Sequence, residues 1–187
     1  TVVTEPLAQS ASQVYHFFKH QGFQHLQFIP CFDGLGEVSP SHSYSLTTES
    51  YGEFLCELFD LWYEDFIKGQ YVSIRHIDNY IQMLAGFPPE SCAMAGVCTA
   101  YLLVEADGSV FPCDFYATDQ YYLGNLLDSD YSALLTGERA KKFVNSSRNL
   151  PLPCQSCRYV RLCRSGCRRD CEPVGEQGKS LNRYCKA

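Results

Sequence analysis

Eight cysteines between Cys92 and Cys185, with Cys171 set aside, constrain this chain more than any other feature. The first group reads Cys92-x5-Cys98-x9-Gly108-x4-Cys113. The second reads Cys154-x2-Cys157-x5-Cys163-x3-Cys167, and Cys185 follows after x17. Eight is two sets of four, and four thiolates close one [4Fe–4S] cluster or one structural zinc site. Scattered cysteines are usually small buried hydrophobes. That suits Cys31, Cys56 and Cys171, but not four cysteines within Cys154–Cys167. A disulfide framework fits poorly with an odd total of 11, with the absence of a secretory leader, and with a chain long enough to build its own core. Metal ligation is therefore expected. Only Cys154–Cys157 has the C-x2-C form of a zinc knuckle, and the x5 and x3 intervals suit a chain wrapped around a cube. Spacing alone leaves zinc and iron–sulfur both open.

Composition bounds the rest. A chain of 187 residues, 45% hydrophobic and 14% aromatic, reads as one or two globular domains with a real core. The net charge of −6 disfavours wholesale nucleic-acid binding. No apolar run approaches the roughly 18 residues that span a bilayer, and no charged-then-apolar leader opens the sequence. A cytoplasmic location is expected, where thiols stay reduced.

Taken in order, Val2–Val3 suit a buried strand. Pro6 fits a first helical position, Ala11, Val14, Phe17 and Phe18 share a helical face, and Gly22 fits the stop. His16 and His20, at i and i+4, read as a solvated face. His25–Pro30 reads as the next strand, which makes a βαβ unit. Residues 34–45 read as a loop. Helical periodicity returns at Tyr51, Leu55, Leu58, Trp62 and Phe66, with Thr47 or Thr48 as N-cap and Gly69 as stop. A short strand at Tyr71–Ile74 precedes a helix carrying Ile77, Tyr80, Ile81 and Leu84. Pro88-Pro89 marks the domain boundary. Beyond it, Thr99–Glu105 and Val110–Cys113 flank Ala106-Asp107-Gly108-Ser109, a β-hairpin signal that brings Cys98 and Cys113 to one end of a ribbon. Ser129–Leu135 and Glu138–Val144 read as short helices, capped by Asp128 or Ser129 and by Thr136. Arg158, Arg161, Arg164, Arg168 and Arg169 cluster in and after the tight cysteine run, where they balance thiolate-bound charge. The tail from Glu172 to Asn182 reads as a loop returning Cys185.

The cysteine pattern resembles the SPASM domain of radical SAM peptide-modifying enzymes. Cys92-x5-Cys98, the run Pro112-Cys113-Asp114-Phe115-Tyr116 and the run Tyr122-Leu123-Gly124-Asn125 narrow the resemblance to anaerobic sulfatase-maturating enzymes. Such enzymes oxidise a Cys or Ser of a sulfatase to Cα-formylglycine. The resemblance implies an α/β chain, with the C-terminal part of a partial (β/α)6 radical SAM barrel over 1–87 and an α+β SPASM domain over 88–187. It implies that Cys92, Cys98, Cys113 and Cys167 hold a first auxiliary [4Fe–4S] cluster, and that Cys154, Cys157, Cys163 and Cys185 hold a second. With four ligands each, both clusters favour electron transfer over substrate binding. It places Asp114 as a general base and Phe32 as a backbone contact to S-adenosyl-L-methionine, with Cys31 packing beside it. It also implies an unfolded sulfatase polypeptide as substrate and an electron carrier such as a flavodoxin or ferredoxin. The C-x3-C-x2-C motif that binds a third, SAM-cleaving cluster does not occur before Cys92. The chain is therefore expected to be the C-terminal half of a longer enzyme and inactive alone. Two other readings stand beside this one: another SPASM-type enzyme acting on a different peptide, and a non-catalytic iron–sulfur or zinc module.

Overall fold

The computed structural model describes residues 1–175 and 178–187. The chain forms two compact units, Thr1–Ser91 with Arg183–Ala187, and Cys92–Asn182. No helix among the described residues is long and apolar enough to cross a membrane.

The first unit is built of parallel strand pairs joined through helices. β1 (Val2–Val3) leads into α1 (Glu5–Ala8) and α2 (Ala11–His20), then β2 (His25–Leu26) and β3 (Ile29–Pro30). α3 (Thr48–Ile67), β4 (Ser73–Ile74) and α4 (Arg75–Leu84) follow. β1 pairs in parallel with β3, and β2 with β4, as helical crossovers require. The expected single strand His25–Pro30 is thus two short strands in two different pairings. The expected helix after Pro6 is also two, because the chain leaves helical geometry at Gln9–Ser10. α2 turns Ala11 and Tyr15 inward and leaves Phe17 58% exposed, so the apolar face lies about one residue away from the one periodicity suggests.

α3 starts where the Thr47 side chain accepts the Ser50 N–H at 3.2 Å, and Glu5 accepts the Thr47 N–H at 2.9 Å. Its inward stripe is Tyr51, Phe54, Leu58 and Trp62, while Phe66 faces outward. Trp62 donates its indole N–H to the Val72 carbonyl at 2.9 Å, satisfying a buried polar atom. Asp65 binds the fully buried Tyr15 hydroxyl at 2.6 Å and the Lys19 ammonium, which ties α3 to α2. On α4, Ile77, Asn79 and Met83 are buried, whereas Ile81 and Leu84 are exposed. The returning Tyr184 packs on Tyr51 with ring centroids 4.7 Å apart.

The second unit contains β5 (Leu103–Val104), β6 (Ser109–Phe111) and β7 (Gly124–Asn125) in one antiparallel sheet. It continues through α5 (Tyr131–Thr136), α6 (Glu138–Ser146), α7 (Leu152–Gln155) and α8 (Val160–Cys163) to the antiparallel pair β8 (Val174–Gly175) and β9 (Gly178–Lys179). The hairpin forms at the expected turn, but β5 is shorter than the sequence suggests, because Leu102 adopts a left-handed φ of 58° that breaks the extended run. Gly108 has a φ of +84°, and a Cβ there would lie 2.6 Å from Asn125 Oδ1. Asn125 also donates to the Asp107 carbonyl at 2.9 Å, so the Gly124-Asn125 step locks the turn as a third strand. Asp130, not Asp128 or Ser129, caps α5 by accepting the Ser132 N–H at 2.9 Å. Gly137 rather than Thr136 precedes α6, without a side-chain cap. The tail expected to be a loop carries the β8–β9 pair, and its positions 176 and 177 lie outside the described residues.

Candidate metal centre

Within the second unit, three thiols of the expected first set converge. Cys98 follows the short helical turn Cys92–Met94, and its N–H donates to Ser147 Oγ at 2.8 Å. Cys113 ends the extended run after β6, and Cys167 caps the 3₁₀ turn Arg168–Cys171, its Sγ accepting the Arg169 N–H at 3.4 Å. Burial pushes the Cys167 thiol well above its ordinary range, and the nearby Cys98 and Cys113 push it further. These three sulfurs therefore feel one another's charge. Burial likewise raises Cys98 and takes Cys113 up to about 11. Such thiols stay neutral unless a cation joins them, and metal ligation is the chemistry that deprotonates a cysteine outright. Cys92 is exposed at the start of its turn.

A single tetrahedral zinc, about 2.3 Å from each sulfur, would hold its thiolates under about 4 Å apart. Among the described residues, no three cysteine sulfurs lie within 4.8 Å of one another.

Of the other set, Cys154 is buried on α7, Cys157 lies two residues past it, and Cys163 ends α8. Arg164, Ser165 and Gly166 then take consecutive left-handed φ values of 50°, 69° and 67°. For Arg164 and Ser165 that conformation costs about 1–2 kcal/mol each. The left-handed turn redirects the chain between Cys163 and Cys167. It is held by Asn182, whose side chain donates to the Ser165 carbonyl at 3.0 Å. Gly96 packs against it so closely that a Cβ would meet the Arg164 carbonyl at 2.3 Å. Cys185 belongs to the first unit. Cys171 is fully buried and donates its S–H to the Ser165 carbonyl at 3.1 Å, as suits a packing residue.

Buried cations lie in the same unit, and two of them act on Cys98. Arg168 lies 4.6 Å from the Phe143 ring centroid and 5.0 Å from that of Tyr116, and it donates to the Phe143 carbonyl at 3.0 Å. Arg169 is 4% exposed, and Lys179, 6% exposed, donates to the Gly96 carbonyl at 2.7 Å. Arg168 and Lys179 both favour the charged form of Cys98, against its burial. Nothing in the sequence marks Lys179 or Ser147, since lysine is almost never buried unpaired and serine carries no periodic signal.

Asp114 follows Cys113 and opens a 3₁₀ turn. Its Oδ1 accepts the Tyr101 hydroxyl, the Phe115 N–H at 3.1 Å and the Cys113 S–H at 3.2 Å. Burial would raise its pKa, but those hydrogen bonds, Tyr101 first, hold it below the ordinary carboxylate range. Among the described residues, Oδ2 carries no hydrogen bond. Phe32 follows β3 in the first unit, with the Arg183 guanidinium 5.9 Å from its ring centroid. The loop beyond it gathers Asp33, Glu37 and His42 at single-cation spacing. Glu37 is already taken up by Ser41, His42 and the Gly34 N–H, so the trio works as a loop clasp.

Comparison with known proteins follows this geometry. Residues 92–158 match the SPASM iron–sulfur cluster-binding domain. The chain is 43% identical, over its whole length, to the "cysteine-type anaerobic sulfatase-maturating enzyme" of Clostridium novyi, of which it covers 50%. It is 27% identical to the "serine-type" enzyme of Bacteroides thetaiotaomicron, covering 48% of that protein. A solved structure described as native anSMEcpe with bound AdoMet and Kp18Cys peptide superposes at a TM-score of 0.94 and 41% identity, over 99% of this chain and 51% of that one. The chain thus spans about half the length of the curated relatives it matches.

Proposed function

We propose that this chain belongs with the anaerobic sulfatase-maturating enzymes it is similar to, and that it is the auxiliary-cluster half of a radical SAM enzyme that oxidises a sulfatase cysteine to Cα-formylglycine. Cysteine is preferred to serine because identity is higher to the cysteine-type relative. The parallel β1–β3 and β2–β4 pairs are read as the last part of the partial (β/α)6 barrel. Phe32, just after β3, then stands where such barrels bind their ligands, here S-adenosyl-L-methionine.

Cys92, Cys98, Cys113 and Cys167 would hold one [4Fe–4S] cluster, and Cys154, Cys157, Cys163 and Cys185 the other. When bound, the clusters supply one-electron acceptors beside the substrate. The chain's residues do the rest. Arg168 and Lys179 offset the negative charge of bound thiolates in a dry site. Asp114 would accept the thiol proton once the Cβ hydrogen has been removed; a bound cluster would supply the acceptor for the remaining electron, and water would hydrolyse the resulting thioaldehyde to formylglycine with release of hydrogen sulfide. The hydrogen bond from Tyr101 favours the ionised form of Asp114, which is the form that can accept a proton.

The observation that carries this reading is the asymmetry of Asp114. Oδ1 is committed to Tyr101 and Phe115, hydrogen bonds that survive ligation of the Cys113 sulfur, and this leaves Oδ2 as the acceptor beside a proposed cluster ligand. The test is Asp114→Asn in the intact enzyme with a sulfatase-derived cysteine peptide. Iron and sulfide should stay at the unsubstituted level while formylglycine formation falls by about 100-fold or more, as loss of a general base implies. Turnover at the unsubstituted rate would remove Asp114 from the mechanism.

A further inference from the structure

The hydroxyl of Tyr101 touches two groups that the proposed reaction needs. It accepts the Asp114 N–H at 3.2 Å and donates to Asp114 Oδ1. The same oxygen lies 3.4 Å from Cys113 Sγ. One phenol thus grips both the main chain and the side chain of the proposed base, and it rests on the proposed ligand beside it. Tyr101 is 47% exposed. A half-exposed tyrosine can give its hydroxyl to water, yet this one is turned back onto the protein.

The backbone accounts for its position. β5 and β6 pair Leu103 with Phe111, so the same register carried two residues further sets Tyr101 opposite Cys113. In an unbroken strand Tyr101 and Leu103 would share one face of the sheet. Leu102 between them has a left-handed φ of 58°, which ends that alternation and costs a leucine about 1–2 kcal/mol. Leu102 is buried with Val110 and Leu134, so the apolar cluster holds the kink in place. Strain of this kind persists where the surroundings over-determine it, and it gathers at functional sites.

Ligation changes what the hydroxyl meets. A free Cys113 donates its S–H to Asp114 Oδ1 at 3.2 Å. A metal-bound thiolate has lost that hydrogen and can only accept. The Tyr101 O–H then faces two anionic acceptors, Oδ1 and Sγ, both already within its reach. We propose that Tyr101 is a positioning residue shared by the two: it fixes Asp114 for proton transfer, and it hydrogen-bonds the Cys113 sulfur so as to raise the reduction potential of a cluster bound there. The physical reason is that a positive hydroxyl hydrogen favours the more negative, reduced cluster, and hydrogen bonds to ligand sulfurs are among the levers that set such potentials. This rests on the reading of Asp114 as base and Cys113 as ligand.

The test is Tyr101→Phe, which removes one oxygen from a half-exposed ring. In the intact enzyme with a sulfatase-derived cysteine peptide, kcat per loaded cluster should fall by about tenfold or more, while KM stays within about twofold. An EPR-monitored redox titration of the loaded protein should show a more negative potential for the auxiliary cluster whose signal is lost in Cys98→Ser. Added to Asp114→Asn, Tyr101→Phe should lower kcat much less than it does in the unsubstituted enzyme, because the hydroxyl acts on proton transfer through that carboxylate. An unchanged kcat, an unchanged potential, or a loss of iron and sulfide in Tyr101→Phe each overturns the proposal, the last by making the residue a structural one. Unsubstituted turnover by Asp114→Asn alone would refute the reading of Asp114 as base, while a shifted potential in Tyr101→Phe would leave the sulfur contact standing.

Discussion

The two units solve the problem of holding a fold in different ways. In the first, fourteen buried apolar residues form one cluster that runs from Val3 and Tyr15 through Phe28, Phe54 and Trp62 to Ile77. In the second, the apolar cluster among the described residues is Leu102, Val110 and Leu134, with a separate aromatic cage of Tyr116, Tyr121 and Phe143 around Arg168. A small unit with so little contiguous core usually needs a metal or disulfides, and its cysteines supply the means. The first unit is thus a packing-stabilised scaffold, and the second, on the function proposed above, a ligand-stabilised one.

The sharpest way to break that comparison is to withhold iron. Hydrogen exchange on the iron-free protein should show residues 92–167 losing protection by several orders of magnitude, while α3 keeps its own. Equal protection in both units would mean that the second stands on packing alone. Next in size is Phe54→Ala, which removes a fully buried ring and should cost about 3–5 kcal/mol in denaturant unfolding of the first unit, with cluster absorbance unchanged at low denaturant. A smaller effect comes from the Tyr15–Asp65–Lys19 clasp. Burial would raise the Asp65 pKa, but bonds from Lys19 and Tyr15 hold it below the ordinary value of 3.8. Its stabilisation is therefore full above that value and lost as pH falls below it. Tyr15→Phe should cost about 1.5–3 kcal/mol at neutral pH and flatten the acid limb of the stability curve for the first unit. Smallest is Arg75→Ala, which breaks the exposed pair with Glu90 at 2.8 Å and should cost under about 1 kcal/mol.

The comparison also explains what could be read from sequence. α3 was legible because twenty residues repeat one pattern and Thr47 and Gly69 punctuate it. Short elements were not. His25–Pro30 splits between two pairings, since parallel partners are chosen by distant residues, and Phe17 faces out because α2 is broken from α1 at Ser10. In the second unit the cysteines and the Asp107-Gly108 turn stood out, but β7 did not, because its role comes from the Asn125 side chain reaching back to Asp107. Lys179 was invisible for a related reason. It gains its place near Cys98 only through a hairpin whose strands are two residues long.

The most direct test of the account is metal and sulfide analysis of the anaerobically reconstituted protein, joined to its Mössbauer spectrum. Two [4Fe–4S] clusters predict about eight iron and eight sulfide per chain, falling to about half in Cys98→Ser. Stoichiometric zinc without sulfide, or cysteines joined to one another as disulfides, would contradict it.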